Sequence, residues 1–237
     1  MDHFKDGALA APWVMAESQD YKPTVRTTLK RRPQRGHYDR ETVHAILDAG
    51  IFCHVGYVAD GAPVVMPTIY WREGERVYWH GARGGRAAMT AGGAQVCFTV
   101  ALMDGLVLAR SAFKHSVNYR SVMAFGTAHT VEDEAEKLAA LKAMIERLYP
   151  GRWAQIRPPS KSEFNSVTVL YLDLKEVSAK IRSEPPLDDE TDLAIPVWAG
   201  VAPFVTMVGQ PEPCPKLKPG LAAPAFLDLP ASVRGKS

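Results

Sequence analysis

Residues 62–89 read APVVMPTIYWREGERVYWHGARGGRAAM. Two strand-like runs, Val64–Trp71 and Arg76–Gly81, flank Arg72-Glu73-Gly74-Glu75, a short polar link with the glycine that a hairpin turn uses. The second run passes into Gly81-Ala82-Arg83-Gly84-Gly85-Arg86 and then into the helix-compatible Ala87-Ala88-Met89. Glycines let backbone N–H groups approach an anion closely, and a helix start favours negative charge. The turn therefore reads either as a phosphate cradle or as a plain connector.

Upstream, Asp39 is placed to cap a helix with Val43, Ile46 and Leu47 on one face, and Gly50 is its expected stop. Ile51–Val58 reads as a strand, and Asp60-Gly61 as a tight hairpin turn into Val64–Trp71. Downstream, Gln95–Leu102 alternates Val96, Phe98, Val100 and Leu102 with Gln95, Cys97, Thr99 and Ala101, the pattern of a strand with one strongly apolar face. Asp104-Gly105 is expected to turn it back. Leu106–Ser111 and Tyr119–Val131 follow as strands, with a kink or loop over Lys114–Asn118. Such a run of antiparallel strands with short turns suits a closed or nearly closed barrel, which removes exposed edges.

Glu132–Tyr149 is the clearest helix, with acids in its first turn, the stripe Leu138, Leu141, Ile145 and Leu148, and Arg147 before Pro150-Gly151. It is expected to cover a face or mouth of the barrel. Ser160–Asn165 reads as a short helix, and Val167–Leu174 and Val201–Val208 as strands. The chain thus divides into an extended arm (1–35), one barrel domain (36–210) and a Pro-rich tail (211–237).

Composition narrows the function classes. With 237 residues, 46% of them hydrophobic, the chain can bury a large core, and a net charge of +2 does not describe a dedicated polyanion binder. Lys22, Arg26, Lys30, Arg31, Arg32 and Arg35 have no acid among them. Without interleaved aromatics they read first as a solvated segment that wraps the domain, with a nucleic-acid arm as the lesser alternative. No apolar run is long enough for a membrane span and no signal-type apolar region opens the chain, so a soluble cytoplasmic protein without a membrane partner is expected.

Cys53, Cys97 and Cys214 form no CxxC motif, and the scattered histidines show no HExxH spacing, so no metal site is expected. Ser111, Ser116 and Ser121 lie near His115 without a GxSxG elbow, which removes the serine-hydrolase reading. The acids Glu132-Asp133-Glu134 read as a helix N-terminal charge set rather than a catalytic pair. Neither a P-loop nor a Rossmann fingerprint is present.

PVVMPTIYWREGERVYWHGARGGR, then DGLVLARSAFKHSVNYRSVMAFGTA, then SAKIRSEPP and VWAGVAP, taken in this order, resemble the pyridoxamine 5′-phosphate oxidase-like flavoproteins. Within them the chain is similar to the bacterial flavin-nucleotide-binding branch related to nitroimidazole-resistance reductases, over about residues 30–210. The resemblance implies a mainly β fold, a six-stranded antiparallel split barrel that forms a homodimer and holds FMN between subunits. By position, Pro67, Thr68 and Ile69 match the strand whose backbone lines the flavin ring, Trp79 and His80 the neighbouring strand end, and Gly85 and Arg86 the phosphate grip. Arg120 and Ser121 match the strand facing the flavin from the partner subunit, and Trp198 matches a C-terminal tryptophan near the cofactor.

Val64–Ile69 lacks the arginine and terminal lysine that true pyridoxamine-phosphate oxidases carry there, which counts against the vitamin substrate. The implied activity is an oxidoreductase passing electrons from a reduced nicotinamide to a small, aromatic or nitroaromatic substrate, with His80 as the catalytic hydrogen-bond or proton donor. The alternatives are a haem-binding or haem-degrading split-barrel protein and a non-catalytic flavin carrier or sensor.

Overall fold

The computed structural model describes residues 20–85, 93–208 and 211–224. Its first helix, α1 (Arg40–Ala49), starts where the cap was expected, the Asp39 carboxylate accepting from the Thr42 N–H at 2.7 Å. Val43, Ile46 and Leu47, spaced three or four residues apart, are all buried against the barrel. Gly50 ends the helix for a reason of space. Its φ is −89°, and a Cβ there would lie 2.5 Å from Tyr70 Oη and 2.9 Å from Val100 Cγ1.

Ten strands are assigned among the described residues: β1 (Gly36–His37), β2 (Phe52–Ala59), β3 (Ala62–Glu73), β4 (Arg76–Ala82), β5 (Gln95–Leu108), β6 (Ser116–Thr127), β7 (His129–Thr130), β8 (Val167–Asp173), β9 (Glu176–Arg182) and β10 (Gly200–Pro203). All pair antiparallel, in the order β1-β9-β6-β5-β2-β3-β4-β8-β7, with β10 on β5. β8 and β9 stand near opposite ends of that ladder, yet only Leu174 and Lys175 separate them in the chain. A sheet tied together this way has to curl round, and the result is the expected split barrel.

The strand count exceeds six, because three short strands join the long ones and β9 was not recognised in the sequence. Val177, Ala179 and Ile181 face the core along β9, but no Gly, Pro or Asn marks the link from β8.

The two hairpins of the opening stretch form as read. Asp60 (φ 51°) and Gly61 (φ 76°) make a tight turn with both central residues in the left-handed region, which suits the twist of β2 and β3. Gly74 (φ 57°) closes the turn between β3 and β4.

Asp104-Gly105 is not a turn. β5 runs through it, with a register shift between Met103 and Gly105. The Asp104 carboxylate is taken by the Arg120 guanidinium, and β10 lies so close that a Cβ on Gly105 would sit 2.9 Å from Ala202 O. Glycine here serves a close strand approach inside a bulge. The connection falls later, around Ala112–Lys114, so Ser116, Val117 and Asn118 belong to β6. β10 stops at Pro203, short of the expected Val208.

One core fills the barrel, around Trp79, Phe98, Tyr70, Val55 and Leu170. A second lies on the outside of β3, β4 and β8, where Trp71, Tyr78 and Val169 are covered by α2 (Glu134–Leu148). That helix begins at its cap Asp133 and buries Ala140 beside Leu141 and Met144, while Leu138 of the expected stripe stays exposed. Arg147 fastens α2 to the end of α1, its Nη2 donating to the carbonyls of Leu47, Asp48 and Gly50 at 2.9, 3.1 and 2.6 Å. α3 (Lys161–Ser166) carries a full capping box between Ser160 and Glu163.

Residues 20–35 wrap the domain. Tyr21 is buried and bonds His44 and Glu75, Arg26 pairs with Glu176, and Arg35 pairs with Glu184. No helix among the described residues is long and apolar enough to cross a membrane.

Candidate functional site

β3 is shared by two neighbours in succession. Its first part, Ala62–Ile69, pairs with β2, whereas Tyr70–Glu73 pairs with β4. Beyond the Tyr70–Trp79 pair the two strands part, and His80, Gly81 and Ala82 pair only with β8. Among the described residues, the edge of β3 over Pro67–Ile69 and the facing edge of β4 over His80–Ala82 therefore have no strand beside them.

Backbone groups of alternate residues point to opposite edges. Tyr70 N–H donates to Ile51 O on the β2 side, so the groups of Pro67 and Ile69 point into the gap. The gap thus presents the Pro67 carbonyl and the Ile69 N–H side by side. Pro63 and Pro67 fit this account, since proline, which has no N–H, is tolerated on a strand only along such an edge.

On β4, successive side chains take opposite faces. Trp79 points inward, fully buried, 6.1 Å from the Phe98 ring. His80 points outward beside Trp71, with ring centroids 6.2 Å apart. The His80 Nδ1 and Trp79 Nε1 atoms are buried without a hydrogen-bond partner among the described residues. Burial lowers the His80 pKa, so the imidazole is held neutral. Past β4 the chain tightens, Gly85 N–H donating to Ala82 O at 2.8 Å and Arg83 N–H to Ser166 O at 2.8 Å. Gly85 thus sits at the mouth of the gap. Arg86 lies outside the described residues.

Pro67, Thr68, Ile69, Trp79, His80 and Gly85 are accordingly brought together by the split. The other expected residues are not. β6 is separated from β3 by β5 and β2, so Arg120 and Ser121 stand on a distant part of the same chain. Arg120 forks onto Asp104, with Nε 3.1 and 3.0 Å from the two carboxylate oxygens and Nη2 2.7 Å from one of them. Ser121 Oγ reaches Lys180 O at 3.4 Å. Trp198 is 67% exposed and lies beyond the Gly200–Leu108 pair, at the far end of β5.

Sequence reasoning missed Asp104 as the partner of Arg120, because Asp-Gly is the usual mark of a turn. It also passed over His54, whose register partner on β3 is Pro67. Only the strand register reveals that proximity.

The family model described as pyridoxamine 5′-phosphate oxidase matches residues 39–181. The chain belongs to this family. Among solved structures, the flavocytochrome Anf3 from Azotobacter vinelandii is 45% identical, covering 88% of this chain and 97% of its own, with a TM-score of 0.82. The FAD and haem binding protein from Mycobacterium smegmatis is 32% identical, covering 81% of this chain and 94% of its own, with a TM-score of 0.78. A Bacteroides thetaiotaomicron protein assigned to 5-nitroimidazole antibiotic resistance is 22% identical over 62% of this chain and 86% of its own, with a TM-score of 0.51, a likeness that speaks to the fold alone. No curated protein matches the chain.

Proposed function

We propose that this protein is a flavin-dependent oxidoreductase that works as a homodimer and also binds haem. The observation that carries the flavin reading is the unpaired edge between β3 and β4. There, the Pro67 carbonyl and the Ile69 N–H face a gap whose other edge begins at His80, a residue with an unpartnered Nδ1. A planar heterocycle with alternating carbonyl and N–H groups on its rim satisfies such an edge as a further strand does, and satisfaction of buried polar groups is the rule in folded proteins. Bound flavin supplies the electron-transfer chemistry, and the protein supplies placement and polarity.

The residues at the gap then have separable tasks. The backbone of Pro67–Ile69 fixes the ring edge, neutral His80 offers a hydrogen bond from the β4 side, and the turn at Gly85 receives the 5′-phosphate common to FMN and FAD. FMN is the form implied by the family resemblance, and the M. smegmatis relative is named for FAD. Release of the cofactor by heat and chromatography of the extract separates the two.

The homodimer reading rests on the division of the expected residues. Arg120, Ser121 and Trp198 lie away from the gap of their own chain, so they act on flavin only from a second copy. An apolar sheet face supports this, since Phe52, Val58, Val65 and Met123 are 41–65% exposed on the outside of β2, β3 and β6. The haem reading is supported by the relatives at 45% and 32% identity, one called a flavocytochrome and the other named for FAD and haem.

The deciding experiment is an absorption spectrum of the purified dimer, followed by anaerobic addition of NADH. Flavin bands with a Soret band, and bleaching of the flavin by NADH, are expected. A colourless protein after reconstitution with FMN, FAD and haemin overturns the reading. Flavin that a reduced nicotinamide leaves oxidised points instead to another electron donor or to a carrier.

A further inference from the structure

The turn between β5 and β6 carries a histidine prepared in the manner of a metal ligand. His115 Nδ1 lies 2.9 Å from the carbonyl oxygen of Ser111, four residues earlier, and the side chain is exposed. A carbonyl can only accept, so this contact places the ring proton on Nδ1 and leaves the Nε2 lone pair free. Metal-bound histidines are held by this kind of second bond, which fixes tautomer and ring direction and raises ligand basicity.

Among the six described histidines this arrangement occurs once. His44 is held by Tyr21 and Glu75, His37 lies 3.9 Å from Asp39, and His129 stacks on Tyr171. His80 is largely buried, and His54 meets Phe52 edge-on without a hydrogen bond to hold its ring among the described residues.

The surroundings suit a flat apolar ligand. Phe113, two residues before His115, is 92% exposed, and Met103 and Leu106 on the same hairpin are 56% and 43% exposed. Trp198 borders the same end of the hairpin through the β10 register. Charged groups stand beside it too, Lys114 paired with Asp189 at 2.7 Å and Asp188 interacting with His115, while the uncovered aromatic and aliphatic side chains suit a metal carried on a macrocycle.

From this geometry we infer that His115 Nε2 is an axial ligand of the haem iron. The inference rests on the haem reading above and adds to it a residue, an atom and a place. The haem then lies at the end of the hairpin whose β6 strand carries Arg120 and Ser121, the residues expected to face the partner's flavin. Haem and flavin are thereby brought to one side of the subunit interface.

The test uses the full-length protein, purified with its flavin and titrated with haemin. Four proteins are compared: wild type, His115→Ala, His115→Met and, as control, His37→Ala on β1. The readouts are the Soret position, the low-temperature EPR spin state and the flavin-to-protein ratio. For His115→Ala, haem affinity falls at least about tenfold, the Soret band moves, the flavin ratio is unchanged, and added imidazole restores the wild-type spectrum. His115→Met retains haem with the spectrum of an altered axial ligand, and His37→Ala matches wild type. The assignment is overturned if wild type takes up haemin and His115→Ala shows the same spectrum and affinity, or if His37→Ala is the variant that loses them. Should wild type take up no haemin at all, the haem reading falls, and the ligand assignment with it.

Discussion

The outward face of β3 has two halves with opposite fates. At one end Trp71 is fully buried, stacked on Tyr78 and roofed by α2. A few residues away on the same face, Val65 is 65% exposed with Pro63 and Pro67 beside it, and nothing described covers them. Both halves are apolar, and on β2 and β3 the inward face is apolar as well. A single-chain barrel with a solvated outside would alternate apolar with polar residues. The lack of alternation around Val65 fits the proposed dimer, in which a second copy covers this face, while at Trp71 the cover is a helix of the same chain.

The largest difference should appear when an inward residue is set against an outward one. Phe98→Ala empties a fully buried site between Tyr70 and Trp79, and should lower unfolding stability by about 3–5 kcal/mol in urea titrations. Val65→Ala, on the uncovered half, should stay within about 0.5 kcal/mol when the monomer is measured. If the two cost the same, the outer face is already covered within one chain and the contrast is lost.

Assembly comes next. In the proposed dimer, Val65→Glu places like charges across the two-fold contact and should weaken dimerisation by about a hundredfold, roughly 2.7 kcal/mol, in dilution series followed by light scattering. Flavin content should fall with dimer content, because in the proposed shared site Arg120 and Ser121 come from the second copy. A dimer that persists in the Val65→Glu variant places the interface elsewhere.

The roof over Trp71 offers a change of similar or smaller size. Arg147→Met removes one guanidinium from three carbonyls at the end of α1, and about 1.5–3 kcal/mol of stability should go with it. Dimerisation should be untouched. A matching loss of dimer would show that the two halves of the face are not independent.

The smallest effect is the pH response of His80. Burial depresses its pKa in the folded protein, so the unfolded chain binds the proton more readily. Its contribution is fully present above the unfolded value, about 6.5, and is lost as pH falls through the folded value. Stability of the protein should therefore decline more steeply on the acid side than that of His80→Gln. Equal slopes in urea titrations between neutral and mildly acid pH would show that His80 does not sense its burial.

The elements legible from sequence were those whose signals are local. Asp39 with its apolar positions announced α1, Asp60-Gly61 announced the first hairpin, and the acids before Glu134–Leu148 announced α2. The motif order identified the family. What escaped was set by contacts distant in sequence. Asp104-Gly105 has the composition of a turn and is held as a bulge by Arg120 and by β10. β9 follows β8 without a breaker, because the bend at Leu174 is stabilised through Glu75 O, far back in the chain. The gap beside Pro67 is visible only from the pairing register, although the two prolines on β3 were a clue that one edge of that strand stays open.

β3 has one further consequence. Among the described residues, its twelve are the only stretch of chain that belongs to both the β2 ladder and the β4 ladder. The two ladders occupy consecutive parts of one continuous strand and meet at Tyr70, so the amides on the two sides of that residue are expected to share an opening event rather than fray as separate units. In hydrogen exchange, a molecule that docks along the Pro67–Ile69 edge should therefore slow not only the amides it touches but also those of Trp71 and Tyr78, which it never reaches.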